Sequence, residues 1–157
     1  YQRMKDGLGV IDEDTICGDK LIIVPEATLY HFGILMSNVH NAWMRVVTGR
    51  LKSDYEYSTN IYNNFPWPRP TPAQQAKIEQ TAQGILDARA LYPDSSLADL
   101  YDEVLMPKEL RDAHRKNDRA VMEAYGFWGR LNTESDCVAE LMKMYQSLVE
   151  ESEKQKR

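Results

Sequence analysis

Apolar positions along the chain follow two different periods. Leu21 to Val24 is a brief β-branched run bounded by Asp19 and Pro25. Its length and punctuation predict a buried strand. Beyond it the spacing becomes three to four: Leu29, Phe32, Leu35 and Met36, then Val39, Trp43, Val46 and Val47. This predicts two helices hinged at Ser37, whose hydroxyl can cap the second, or one kinked helix from Leu29 to Thr48, with Gly49 as the stop. Ser53 to Trp67 mixes Tyr, Ile and Phe with Asn and Ser, which predicts one or two short strands and a turn at Asn63 and Asn64.

Three alternating prolines, Pro66, Pro68 and Pro70, forbid helix there and predict a stiff linker. Thr71, Pro72 and Gln74 then supply a cap, a proline for the first helical position and the partner of a capping box. The helix they open carries Ile78, Ala82, Ile85, Leu86 and Arg89 on one face and ends near Tyr92 and Pro93. Ser96 opens a short segment holding Leu97, Leu100 and Tyr101. Pro107 opens a longer one with Leu110, Ala113, His114, Asn117, Val121, Ala124 and Tyr125 on one face, closed by Gly126. A last helix from about Thr133 stripes Val138, Leu141, Met142, Tyr145, Leu148 and Val149, then runs into a charged end. The expected class is α+β: mostly helical, with a few short strands in the N-terminal part and a small helical bundle in the C-terminal part. The expected division is residues 1–68 and 69–157.

A chain of 157 residues with 43% hydrophobic content suits one domain or two small ones. No long apolar run suggests a membrane span or a signal peptide, so a cytoplasmic protein without a membrane partner is expected. The start at Tyr1, without Met, suggests a piece of something longer. Cys17 and Cys137 lack metal or disulfide spacing and read as reduced, partly buried thiols. Net charge is −5, with 7 Lys and Arg against 8 Asp and Glu up to residue 70, and 12 against 16 beyond it. A generic basic nucleic-acid surface is therefore not indicated. Between Arg45 and Arg69 the sign reverses: Arg45, Arg50, Lys52 and Arg69 face only Asp54 and Glu56, among several aromatics. If nucleic acid is met anywhere, it is expected there.

Catalytic patterns are incomplete. Gly7 and Gly9 lack the preceding strand that a cofactor-binding turn requires. Asn64, Phe65, Pro66 and Trp67 imitate the amine-accepting loop of base methylation, but Phe65 stands where a first proline belongs. Pro93 and Asp94 begin a metal-dependent nuclease pattern, yet no Lys follows an Asp or Glu by two positions. His31, His40 and His114 have no zinc spacing, and no nucleophile elbow is present. His114 and Asn117 read as a hydrogen-bonded pair within helix packing. Neither catalytic residues nor a metal site are expected in this chain.

Three separated phrases are more specific. ATLYHFGILMSNVHNAWMRVVTGRLKSDYEYS from Ala27 to Ser58, then YNNFPWP from Tyr62 to Pro68, resembles MmeI-like single-chain restriction-modification enzymes. LDARALYPDSSLADLYD, MPKELRDAH and DRAVMEAYGF resemble the carboxy-terminal region of the same family. The exit from a proline run into a helix is also similar to the specificity subunits of type I systems. The resemblance implies that this chain holds the end of a target-recognition domain and a helical tail. It also implies that an adenine-N6 methyltransferase domain using S-adenosylmethionine, and a nuclease using magnesium, belong to the parent upstream. The implied partners are double-stranded DNA and that methyltransferase domain.

The resemblance does not assign contacts, so candidates come from chemistry. Arg50 and Lys52 follow a helix stop, where exposed cations can neutralise phosphates, though Arg50 can equally pair with Asp54. Asn63 and Asn64 can read adenine by donating and accepting together, or merely turn the chain. Tyr55 and Tyr57, alternating on one strand face, can stack on an opened base, pack on the methyltransferase domain or lie in a core. The other reading of the chain is an acidic helical scaffold that packs on other domains or subunits without touching DNA.

Overall fold

The computed structural model describes residues 8–12, 14–18, 21–48, 50–51, 54–55 and 57–155. Helices α1 (Leu29–Leu35) and α2 (Asn38–Val47) are separate, and Ser37 is the joint. Its hydroxyl accepts from the His40 amide and donates to the Ile34 carbonyl, so one side chain ends one helix and starts the next. Strands β1 (Arg50–Leu51) and β2 (Asp54–Tyr55) pair antiparallel, Arg50 opposite Tyr55 and Leu51 opposite Asp54. Helix α3 (Thr59–Asn63) follows, one short turn and a half that closes at Asn64.

After the prolines come α4 (Pro72–Ala90), α5 (Leu97–Leu100), α6 (Lys108–Tyr125) and α7 (Glu134–Gln155). Their ends are chemically marked. Thr71 and Gln74 form the reciprocal capping box of α4, with Pro72 at the first helical position. Ser96 and Asp99 do the same for α5. Thr133 and Asp136 exchange amide bonds ahead of α7. Gly126 ends α6 in the left-handed region at φ 71°, where a Cβ would be strained.

The α+β expectation is corrected by this arrangement: the fold is helical, without a sheet layer. The β1–β2 pair, two residues to a side, is a hairpin tip too short to bury a face. Leu21 to Val24 is not a strand; it finds no ladder partner among the described residues, and Leu21, Ile22 and Ile23 stay exposed. Thr59 to Asn63, expected as strand running into a turn at Asn63 and Asn64, is helix. Tyr57 lies past the end of β2, so Tyr55 and Tyr57 do not share a strand face.

Packing runs across the proline segment. Helix α4 lies against α6 and α1, and α2 lies against α7. One core gathers Ile34, Val39, Trp43, Ile61 and Phe65 with Ile78, Val121, Phe127 and Leu141. A second joins Phe32 and Met36 to Ala82, Ile85, Leu100, Tyr101 and Leu110. Both cores draw side chains from either side of Pro70. Each buried Ile, Leu or Phe contributes roughly 1.5–3 kcal/mol, so neither segment keeps its core without the other.

Gly33 marks the closest approach. A Cβ there would meet Ile78 Cγ2 at 2.7 Å, Asn117 Oδ1 at 3.1 Å and Ala82 Cβ at 3.2 Å. The absent side chain lets α1 sink between α4 and α6. Asn117, fully buried on α6, donates to the Gly33 carbonyl and accepts from the Thr81 hydroxyl of α4. His114 instead bonds Tyr101 at 2.6 Å, so the two polar residues of that face serve different partners.

Candidate nucleic-acid interface

The basic, aromatic stretch is built on buried rings. Phe65 is buried between His40 (4.6 Å between centroids), Trp67 (5.5 Å) and Trp43 (6.1 Å), all in edge-on geometry. Trp67 also meets Tyr62, Tyr30 and His31. The Trp43 indole donates to the Ile61 carbonyl, and the Tyr125 hydroxyl donates to the Pro66 carbonyl at 2.8 Å. The prolines are thus packed, and Pro66 and Pro68 are buried. With its donors removed and its geometry extended, this run is tied to the end of α6 through Tyr125 and to α1 through Trp67.

His40 sits beneath this layer with no exposed surface. Its Nε2 lies 3.2 Å from the Tyr57 hydroxyl. Burial disfavours the charged imidazolium and lowers its pKa to about 3. The same burial raises the pKa of the Tyr57 phenol, with Tyr62 adding to it. Both groups are neutral across the physiological range, so the pair is a fixed hydrogen bond rather than a proton shuttle. Tyr57, half-buried and bonded, positions the chain between the β hairpin and α3.

The candidate contacts fall on either side of that anchor. Arg50 and Tyr55 are directly opposed in the hairpin ladder, on the extension from the C-terminal end of α2. Lys52 lies outside the described residues. Asn63 ends α3 with an exposed side chain, and Asn64 caps it, donating from Nδ2 to the Asn60 carbonyl. Trp43, Val47, Thr48, Ser58, Asn60, Ile61, Asn64, Met142 and Tyr145 line a groove of about 480 Å³ beside it. Helix α7 closes its far wall, and Arg45 on α2 pairs with Glu134 at the start of α7.

Sequence reasoning missed a second cationic feature. Lys108, Arg111, Arg115 and Arg119 recur at intervals of three and four on the solvent side of α6. The acidic total of the second half concealed them, although their spacing alone was enough to show a common face. Among the described residues no three His, Cys, Asp or Glu side chains gather as a metal site, and no helix is long and apolar enough to cross a membrane.

Comparison with known proteins adds identity to this geometry. The family model for the MmeI target recognition domain matches residues 7–69, and that for the MmeI C-terminal domain matches residues 70–152. DNA methyltransferase A of Bacillus subtilis (strain 168) is 37% identical over 144 residues, spanning 91% of this chain and 16% of that protein. The solved structure of the Type IIL restriction-modification enzyme MmeI in complex with DNA matches with a TM-score of 0.76 and 49% identity, over 80% of this chain and 17% of that one. This chain belongs to the MmeI family, and carries matches to its target recognition domain followed by its C-terminal domain.

Proposed function

We propose that this chain recognises and clamps double-stranded DNA on behalf of an adenine-N6 methyltransferase of a restriction-modification system, without performing the chemistry itself. The target-recognition match over residues 7–69 carries this reading. In it, Arg50 and Lys52 approach phosphates, while Asn63 and Asn64 reach base edges from the end of α3. Tyr55 offers a ring to the duplex or to the neighbouring domain. Tyr57, bonded to His40, holds the hairpin's exit in place. S-adenosylmethionine, and magnesium if the parent also cleaves, belong to upstream domains, with the methyltransferase domain as the partner in the same polypeptide.

Helices α4, α6 and α7 serve as the rigid mount. Because both cores cross the proline run, the reading edge cannot rotate independently of them. Rigid placement of a recognition module relative to a catalytic domain is what selects one base in a duplex for modification. The test is the parent enzyme with Arg50 and Lys52 both changed to Ala. Duplex affinity and methylation at the recognised site should fall together; unchanged binding and methylation would remove the hairpin from the DNA surface.

A second reading has its own observation. Val10, Ile11, Ile16, Leu21, Ile22 and Ile23 all lie exposed ahead of α1. Such a run is suited to packing on another domain or subunit, which is the scaffold role without DNA contact. Crosslinks from intact enzyme on DNA that fall wholly outside this chain would favour it.

A further inference from the structure

The chain is acidic, yet its charges are sorted in space. Lys108, Arg111, Arg115 and Arg119 occupy one seam along the exposed side of α6, opposite the buried Leu110, Ala113, Asn117 and Val121. Eleven residues at 1.5 Å each make the seam about 16 Å long. Lys108, Arg115 and Arg119 side chains are 84%, 73% and 60% exposed. Arg119 lies over the Trp128 ring at 5.0 Å, where the ring is half-exposed and continues the seam past the helix end. Lys116 adds a cation at its margin.

The acidic groups nearby on α6 are Asp112, which pairs with Lys108 and Arg115; Glu123, which pairs with Arg119; Glu109, which accepts from the Tyr92 hydroxyl; and Asp118, which accepts from the Asn38 amide. Hydrogen bonding to Lys108 lowers the Asp112 pKa, so it remains ionised at neutral pH. The cations of these pairs are largely exposed, so water and salt weaken the pairs and phosphate oxygens can take up the donors that the carboxylates leave free. Among the described residues, Arg111 reaches the Met106 carbonyl, at 3.5 Å.

We infer that this seam of α6 is a second contact for the phosphate backbone of duplex DNA, separate from the hairpin that precedes Pro70. It rests on the reading that the protein binds duplex DNA. A protein partner fits less well. Protein interfaces bury an apolar, charge-poor centre, whereas this seam presents four cations along its length, with the exposed apolar Val104, Leu105 and Trp128 lying only beyond its two ends. A polyanion with regularly spaced charges needs only cations at matching intervals, and Arg forks bind phosphate oxygens two at a time. Backbone contacts of this kind fix register and carry no sequence information.

The experiment measures affinity of the intact protein for a duplex containing its recognised site, and for a scrambled duplex, across a salt series. Variants are Arg111→Gln with Arg115→Gln, the Lys pair at the same positions, and Lys143→Gln on α7 as a control cation outside the seam. The Gln pair should lower the slope of log affinity against log salt by up to about two and weaken both duplexes equally; the Lys pair should restore most of it. Lys143→Gln should leave the slope unchanged. A Gln pair with the wild-type slope overturns the seam while leaving DNA binding intact. Wild-type protein that binds neither duplex overturns the underlying reading as well.

Discussion

The Asn117 side-chain amide donates to the Gly33 carbonyl at 2.8 Å, joining α6 to α1 across 84 residues of sequence. One residue lies in the target-recognition match and the other in the C-terminal match. Asn117 also accepts from Thr81 of α4, so three helices meet at one buried amide. Truncating it to Ala takes the donor from the Gly33 carbonyl and opens a small void, while the Thr81 hydroxyl keeps the Ile78 carbonyl as its acceptor. A loss of about 2–3 kcal/mol is expected from urea unfolding of Asn117→Ala. A change below about 0.5 kcal/mol would show that water replaces the amide.

Gly33→Ala tests the same junction sterically. Alanine gains up to about 1 kcal/mol of helix propensity, but its Cβ must displace Ile78, Ala82 and Asn117, all held in the core. The clash should win, with a net loss of about 1–3 kcal/mol and a lowered Tm. Stabilisation by this variant would mean that α1 can lift away from α4 without cost.

His40 gives the fold a pH dependence. Its pKa is about 3 when folded and near the ordinary 6.5 when unfolded, so the unfolded chain binds the extra proton between those values. Its contribution to stability is complete above about pH 6.5 and is lost progressively as pH falls toward 3. The accumulated loss is on the order of a few kcal/mol. Denaturation midpoints at pH 7.5 and 4.5 should therefore differ, and His40→Phe should reduce that difference even though it leaves the Tyr57 hydroxyl without its imidazole. An equal pH response in both proteins would assign the effect elsewhere.

Helix α4 can be weakened at its cap. Thr71 accepts from the Gln74 amide while Gln74 returns a bond to the Thr71 amide. Thr71→Ala is expected to cost about 1 kcal/mol, and Thr71→Ser much less, as read by thermal unfolding.

Most helix ends were legible in the sequence because caps are local chemistry. Ser37, the Thr71–Pro72–Gln74 run, Ser96 and Gly126 all mark real boundaries. Pairing was not legible. Leu21 to Val24 has strand composition, but a strand exists only with a ladder partner, and composition says nothing of one. Helix α3 escaped because five residues are too few to show a period. The proline run reads as a spacer from its backbone restrictions, whereas the rings on Phe65 and Trp67 pack it into the molecule. Of the candidate site, Tyr57 was visible as a ring near the basic stretch, but its bond to a histidine seventeen positions earlier is a tertiary fact.

The most direct test of the account is photo-crosslinking of the intact enzyme on its recognised duplex, followed by mapping of the attached peptides. Adducts within residues 50–64 are predicted, with further adducts between Lys108 and Arg119. Efficient crosslinking confined to regions outside this chain would contradict its role in DNA recognition.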